Sequence, residues 1–296
     1  MNKEALLQKI CASDKLPVLP DTAMKVIELG NDPDLYPEKV HNVIALDPVL
    51  SARLLQISNS AMFAAKAPVT NLSGAITLLG VQTTMSIAMG FAVVNGLREQ
   101  EAEQSDFSYD TFWRKSVLGA VAAIEMRKVL DSERQGDLFV ATLLQDIGML
   151  ALHNIVGSKY SQIVTSSRSH HDLLELERRV FNLDHAEVST AILKNWNLPD
   201  LLCDAVSCSH HFFDAKSTNE MSNLEYAVAM SGMLAEQWIA ETERPEELDI
   251  IIQNSLERLG QEGLKDLVSD SIKAIPSASK MFGVKLLSVE QLANFG

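Results

Sequence analysis

Apolar residues recur at intervals of three and four positions along most of the chain, which is the spacing of an amphipathic helix. This pattern predicts five helices in the first hundred residues, at 21–29, 38–46, 49–58, 71–80 and 81–97. Further helices are predicted at 109–130, 137–154, 158–166, 171–180, 184–195, 199–213 and 221–240, with weaker patterns at 248–259 and 263–275. Clear alternating strand patterns are hard to find, so the expected fold class is all-α.

Two acidic segments interrupt the helical pattern and predict boundaries between units. They are 99–106 (EQEAEQSD) and 241–247 (ETERPEE), both rich in residues that favour solvent. The sequence therefore predicts an N-terminal helical bundle over 1–100, a second helical lobe over 106–240 and a helical C-terminal tail over 248–296.

The segment 67–97 contains no charged residue and is long enough to span a bilayer. Polar side chains at its centre, Gln82, Thr83 and Thr84, oppose that interpretation. We expect a helix pair buried between the lobes of the protein, and a membrane span is the less favoured alternative.

Charge and cysteine content narrow the class of protein. The formal net charge is −14, and no local cluster of Lys and Arg offsets it, so nucleic acid is not an expected partner. The three cysteines, Cys11, Cys203 and Cys208, are odd in number and lack CxxC spacing, which is typical of a reducing compartment. The first ten residues, MNKEALLQKI, lack an apolar signal core. The expected location is the cytoplasm, without a membrane partner.

One carboxylate lies inside an apolar, helix-like run: Asp146 in ATLLQDIGML. A metal ion is one reason to bury a carboxylate, and the chain offers further candidate ligands. Adjacent residues on a helix diverge by about 100°, so at most one of His210 and His211 can face a common site. The pair at 170–171 precedes a helix, and both of its rings are expected in solvent. The further candidates are His153, His170, His171, Asp184, His185, His210 and His211.

Four motifs in order carry a resemblance to a known family. They are WRKS at 113–116, LQDIG at 144–148, DHAE at 184–187, and Trp196 with Leu198-Pro199 ahead of His210-His211. With LPVLPDTAMKVIEL at 16–29, the segment 47–63 and NLSGAITLLG at 71–80, this order resembles the HDOD family over roughly residues 10–240. HDOD domains are related to the HD and HD-GYP metal-dependent phosphohydrolases. The resemblance implies an N-terminal bundle packed on an HD-like C-terminal lobe.

The resemblance also implies that several metal ligands are lost. In metal-binding relatives, a first histidine, a His-Asp pair, further histidines and a late aspartate hold the ions. In this sequence the first histidine falls on Lys115, the histidine of the pair on Gln145, and the late aspartate near Gly232. The expected vestigial site consists of Lys115, Gln145, Asp146, His185, His210 and His211.

A catalytic divalent site needs about three protein ligands and an open position for water. We therefore expect no catalytic residue, no metal and no other cofactor. If a metal does bind, the expected ligands are Asp146, His185 and His210. The ammonium group of Lys115 is predicted to form a salt bridge with Asp146 in place of an ion. The alternative is that Lys115 points to solvent while Asp146 caps a neighbouring helix.

Three functions remain open on the sequence. The first is a non-enzymatic, stand-alone regulator in bacterial signal transduction that acts as an output or scaffold protein by binding signalling proteins. The second is a reduced phosphohydrolase that acts on a nucleotide or cyclic dinucleotide through Asp146 and His185. The third is a nucleotide receptor without turnover, which the acidic balance and the lack of an Arg cluster disfavour. The first is the expected function.

Overall fold

The computed structural model describes residues 3–13, 16, 19–60, 62–63, 67–98, 105–130, 134–211, 220–239 and 245–287. Every regular element within these ranges is a helix, which confirms the all-α prediction. The helices are α1 (Lys3–Cys11), α2 (Asp21–Gly30), α3 (Pro37–Ile44), α4 (Pro48–Ser58), α5 (Leu72–Leu79), α6 (Val81–Arg98), α7 (Tyr109–Leu130), α8 (Gln135–Leu144), α9 (Ile147–Val156), α10 (Ser158–Ser166), α11 (His170–Phe181), α12 (His185–Asn195), α13 (Asp200–Ser207), α14 (Asn223–Ile239) and α15 (Pro245–Phe282, with a break at Gly260).

Side-chain caps set several of the helix starts. Asp47 accepts a hydrogen bond from the Leu50 amide at 2.9 Å, directly before the proline that opens α4. Asn71 accepts one from the Gly74 amide at 2.8 Å and so begins α5. These side chains satisfy amide groups that the first turn of a helix leaves without an intrahelical acceptor. Asp21 is not a cap, because it is the first residue of α2 itself.

Two predicted helices are shorter than their apolar patterns. The segment 137–154 forms two helices, because the chain leaves helical geometry at Asp146, whose φ and ψ are −104° and 8°. The apolar periodicity runs through this break, so the pattern alone does not reveal it. The helix predicted at 199–213 ends at Ser207. The hydroxyls of Ser207 and Ser209 each donate to a carbonyl in the last turn, at 2.7 Å, and thereby compete with the helical hydrogen bonds.

Helix α6 of the N-terminal lobe packs against α8 of the C-terminal lobe and forms the core between them. Most of α6 is buried, which explains why it carries no charged residue before Arg98 at its end. The helices approach closely at Gly90, where an added Cβ would lie 3.0 Å from Val140. The Ser86 hydroxyl donates to the Asp137 carboxylate at 2.6 Å along the same contact. The prediction of burial between the lobes is therefore confirmed for α6, whereas α5 packs on α3, α4 and α6 and keeps part of its surface exposed.

Two stretches could cross a membrane by length and composition alone. One is Gln135–Val156, in which 78% of the apolar window is buried inside the protein. The other is the pair formed by α5 and α6, which is bent by 114°. An apolar core helix passes the same length and composition test, and both stretches contribute to the shared core of the two lobes.

The C-terminal helix α15 contacts both lobes. The Phe282 ring stacks on Phe91 of α6 with centroids 5.0 Å apart, and Arg98 donates to the Phe282 carbonyl at 2.7 Å. Arg114 of α7 donates to the Leu286 carbonyl at 3.1 Å. The tail is therefore part of the common core. The division into 1–100, 106–240 and 248–296 stays a prediction, since most of each acidic boundary (99–104 and 240–244) lies outside the described residues.

We predict that Phe282→Ala lowers the free energy of unfolding by about 3–5 kcal/mol, because it leaves a cavity between α6, α8 and α15. Urea denaturation should show one cooperative transition at a lower midpoint. The matched control is Ile252→Ala on the exposed side of the same helix, where the change should stay within about 0.5 kcal/mol. A separate transition for the tail, with the midpoint of the lobes unchanged, would contradict the prediction.

Candidate functional site

Asp146 lies at the junction of α8 and α9 with its side chain only 2% exposed. The close approach of α9 to α12 places it there. The Gly148 amide donates to the Ser189 hydroxyl at 2.8 Å, and a Cβ on Gly148 would collide with the backbone carbonyl of His185. Only glycine allows this contact, which brings the start of α12 against Asp146.

Two of the histidines are the first residues of their helices, and caps fix both positions. Asp184 caps α12 in a capping box with Glu187, so His185 opens that helix. The Ser169 hydroxyl accepts from the Asp172 amide at 3.1 Å, so His170 opens α11. These caps hold both backbones next to Asp146.

His170, His185 and His210 point their Nε2 atoms at one another and at Asp146. The Nε2 atom of His185 lies 3.0 Å from that of His170 and 3.1 Å from that of His210, and the remaining pair is 3.4 Å apart. From Asp146 Oδ1 the distances are 3.0 Å to His210, 3.5 Å to His185 and 3.7 Å to His170. We call these four residues the His-Asp cluster. They could hold one metal ion.

The two carboxylate oxygens of Asp146 have different partners. Oδ2 lies 3.0 Å from the ammonium group of Lys115, which confirms the predicted salt bridge. Oδ1 faces the three imidazoles but accepts no well-directed hydrogen bond from the described residues. Burial alone raises the pKa of Asp146, but the charge of Lys115 and the surrounding imidazoles outweigh it and hold that pKa well below its usual value.

A second buried carboxylate orients His185. Glu177 Oε2 accepts from the His185 ring at 2.7 Å and from its backbone amide at 2.9 Å. The other oxygen of Glu177 accepts from the Tyr160 hydroxyl at 2.6 Å. Burial lowers the pKa of His185, but the charge of Glu177, the hydrogen bond to it and the nearby Asp146 carboxylate outweigh burial and raise that pKa to about 10. No sequence motif indicated that Glu177 and Tyr160 contribute to the site.

The expectation that His170 lies in solvent is wrong. Its ring is 14% exposed, and its Nδ1 atom lies 2.9 Å from the ammonium group of Lys115. Its backbone amide donates to Glu236 at 2.8 Å, which holds the start of α11 against α14. Burial and then the charge of Lys115 lower the pKa of His170 well below its ordinary value. The neighbouring His171 is 39% exposed and lies 3.8 Å from Glu175 on the surface.

Of the second His-His pair, only His210 joins the cluster. It lies in the turn after α13, with a side chain that is 7% exposed, whereas His211 is exposed. Burial lowers the pKa of His210. His153 lies elsewhere, where its ring stacks on Phe107 and is in hydrogen-bond contact with the hydroxyls of Ser105 and Ser161, each at 3.0 Å.

Gln145 and Gly232, which the resemblance places at ligand positions of metal-binding relatives, fit one another. The Gln145 side chain is buried, and its amide occupies the space that a side chain at position 232 would need. A Cβ on Gly232 would collide with this amide. Neither residue offers an anionic or imidazole ligand, and the space of the expected late aspartate is filled.

A cleft of about 630 Å³ opens beside the His-Asp cluster. Lys115, His170 and Glu236 form part of its wall where it meets the cluster, and Arg114 and Arg168 add cationic groups. Apolar side chains such as Phe112 line much of the remainder. The cleft is large enough for a small ligand.

Comparisons with known proteins find one matching domain family and several solved structures of similar fold. The sequence profile described as the HDOD domain matches residues 16–212. An HDOD domain protein of unknown function from Geobacter sulfurreducens is 21% identical and superposes with a TM-score of 0.72, over 95% of this chain and 99% of that one. A Shewanella amazonensis SB2B protein with the provisional name of phosphohydrolase is 26% identical, with a TM-score of 0.70 over 94% and 97% of the two chains.

Two more distant relatives differ from this chain in length. A Marinobacter aquaeolei VT8 protein with the provisional name of signal transduction protein is 20% identical, with a TM-score of 0.63 over 95% of this chain and 62% of that one. An uncharacterized protein of Treponema pallidum (strain Nichols) is 20% identical over 204 residues. That match covers 67% of this chain but only 38% of the Treponema protein.

We predict that Lys115→Met lowers the free energy of unfolding of chelator-treated protein by about 3–5 kcal/mol, because it leaves the Asp146 carboxylate buried without its cation. The double variant Lys115→Met/Asp146→Asn should lose less free energy of unfolding than the sum of the losses in the two single variants. Lys273→Met is the control, since Lys273 forms an exposed pair with Asp270 and its loss should cost less than about 1 kcal/mol. Equal effects of the two lysine substitutions in chemical denaturation would contradict the prediction.

We also predict that Gly232→Ala is destabilising by about 1–3 kcal/mol in the natural sequence, because its Cβ needs the space of the Gln145 amide. In a Gln145→Ala background the same substitution should be close to neutral. A double-mutant cycle in urea measures this coupling. Additive effects would show that the two positions do not compete for space.

Proposed function

The chain belongs to the HDOD domain family, and from this membership we propose that it is a signal-transduction regulator that acts by binding signalling proteins and hydrolyses no phosphate ester. The resemblance to HDOD domains implies a role as an output or scaffold protein. The similar Marinobacter protein is provisionally named for signal transduction. Both support a signalling role for this chain.

The observation that carries the proposal is the salt bridge between Lys115 and Asp146, at 3.0 Å inside the core. A hydrolytic metal centre needs a ligand set that leaves an open position where water becomes a nucleophile. Here the ammonium group occupies one oxygen of the carboxylate, and Gln145 and Gly232 replace two further ligands. A centre with these residues lacks the donors for two ions.

A metal-dependent phosphohydrolase is the second candidate. The His-Asp cluster lies beside a cleft with Arg114 and Arg168 in its wall, and guanidinium groups bind phosphate well. The similar Shewanella protein carries the provisional name of phosphohydrolase. The same cleft could serve a nucleotide receptor without turnover, so binding and hydrolysis have to be measured separately.

The test of turnover uses the purified full chain with Mn²⁺, Fe²⁺ or Mg²⁺ and a panel of a phosphomonoester, nucleotides and a cyclic dinucleotide. We expect phosphate release at the same background rate for the natural chain, Asp146→Ala and the exposed-site control Asp110→Ala. Turnover that needs metal, disappears in Asp146→Ala and persists in Asp110→Ala would establish the hydrolase instead.

The test of regulation is affinity capture with the folded chain, followed by a binding measurement with each purified candidate. We expect at least one signalling protein to bind with a defined dissociation constant, and to bind neither a heat-unfolded sample nor an unrelated acidic protein. If binding requires a nucleotide in the cleft, the receptor function gains support over the purely protein-mediated one.

A further inference from the structure

We propose that Asp146 Oδ1 and the Nε2 atoms of His170, His185 and His210 bind one divalent transition-metal ion, with Zn²⁺ as the best chemical match. The inference goes beyond the proposed function, which requires no metal, and it reverses the expectation of a metal-free site. That expectation counted three remaining ligands and omitted His170. The described residues bring a fourth donor to the same point.

The distances among the four atoms match a tetrahedral site. Their six separations run from 3.0 to 3.7 Å. Four ligands at about 2.0–2.1 Å from a zinc ion, the usual bond lengths to nitrogen and carboxylate oxygen, are separated by about 3.3–3.4 Å in a tetrahedron. A single ion at the centre therefore reaches all four donors with little side-chain movement.

The cluster has unmet bonding needs that one cation satisfies. Asp146 Oδ1 is buried and lacks a well-directed hydrogen bond from the described residues. Three imidazole nitrogens within 3.4 Å of one another need shared protons to avoid facing lone pairs. A cation at their centre gives each of the four atoms a bonding partner and removes the need for those protons.

The remaining contacts of Asp146 leave one oxygen available for the ion. Lys115 holds Oδ2, so Asp146 would bind the ion through Oδ1 alone. A histidine that coordinates through Nε2 keeps its proton on Nδ1, so the ammonium group can no longer donate to His170. Lys115 then turns toward Asp146 Oδ2 and Glu236, whose carboxylate already lies 3.9 Å from it.

Outer contacts favour coordination by His185. Glu177 accepts the Nδ1 proton of this ring at 2.7 Å and is itself held by the Tyr160 hydroxyl at 2.6 Å. A carboxylate on the far nitrogen of a histidine fixes the tautomer that presents Nε2 to a metal and increases its basicity. The same hydrogen bonds hold the ring in one orientation.

The site is structural or regulatory in character. All four tetrahedral positions come from protein side chains, and structural zinc sites are closed in this way, whereas catalytic ones keep a position for water. The ion would join the starts of α9, α11 and α12 to the turn that follows α13. Its binding therefore stabilises the C-terminal lobe and holds four chain segments in one arrangement.

The test is metal binding to the purified chain without a histidine tag, after treatment with a chelator. We expect one Zn²⁺ per chain by atomic emission, a higher melting temperature with Zn²⁺, and intense visible absorption of tetrahedral character with Co²⁺. His170→Gln and His210→Gln each remove a proposed ligand. They should lower the affinity for Zn²⁺ by more than the roughly 10–100-fold that is lost when a residue hydrogen-bonded to a ligand is replaced. Their sequence neighbours provide matched controls, since His171→Gln and His211→Gln alter rings that lie outside the His-Asp cluster, and these variants should bind Zn²⁺ normally.

A variant that replaces one metal-binding side chain by another distinguishes loss of a ligand from misfolding. His170→Cys keeps a donor at this position, so it should restore binding and add a sulfur-to-cobalt charge-transfer band that the natural chain lacks. Absence of stoichiometric binding to the natural chain overturns the proposal. Unchanged affinity in His170→Gln also overturns the four-ligand site, because it assigns any ion to the other three residues.

The two proposals fail in different experiments. Phosphate release that depends on Asp146 refutes the non-catalytic function, but it does not decide whether the four-ligand metal site exists. The Zn²⁺ and Co²⁺ binding measurements decide that. Absence of bound metal refutes the closed site and leaves regulation through protein binding intact.

Discussion

The structure is organised around the requirement that the buried carboxylate of Asp146 be compensated. An ionised carboxylate in a protein core is costly unless cations and hydrogen-bond donors surround it. The chain provides an ammonium group on one oxygen and imidazoles around the other. Each compensating group comes from a different element: Lys115 from α7, His170 and His185 from helix starts, and His210 from a turn. The electrostatics of one side chain thereby constrain the packing of most of the C-terminal lobe.

Helix α8 connects this centre to the rest of the molecule. Near its start it carries Asp137 and Val140 against α6 of the N-terminal lobe, and it ends directly before Gln145 and Asp146. A displacement of this short, buried helix would change the contact between the lobes and the geometry of the centre together. A signalling protein needs such a mechanical link if an event at one surface is to alter another. Helix α15 touches both lobes and restricts their relative movement.

Much of the fold could be predicted from local signals, and the site only in part. Apolar spacing identified most helices. The break before Asp146 was missed because apolar residues occupy both sides of it and the deviation arises from packing against α12. The Lys115 contact could be anticipated because the family pattern aligned two residues far apart in sequence. His170 could not, since a helix start with two adjacent histidines is typical of a surface, and only tertiary structure brings it to Asp146.

The fit between Gln145 and Gly232 has a consequence for how the pocket can vary. A larger side chain introduced at position 232 alone would meet the space that the Gln145 amide fills. A bulkier residue is tolerated there only when position 145 releases the volume that it needs. The two interior positions are therefore expected to change together.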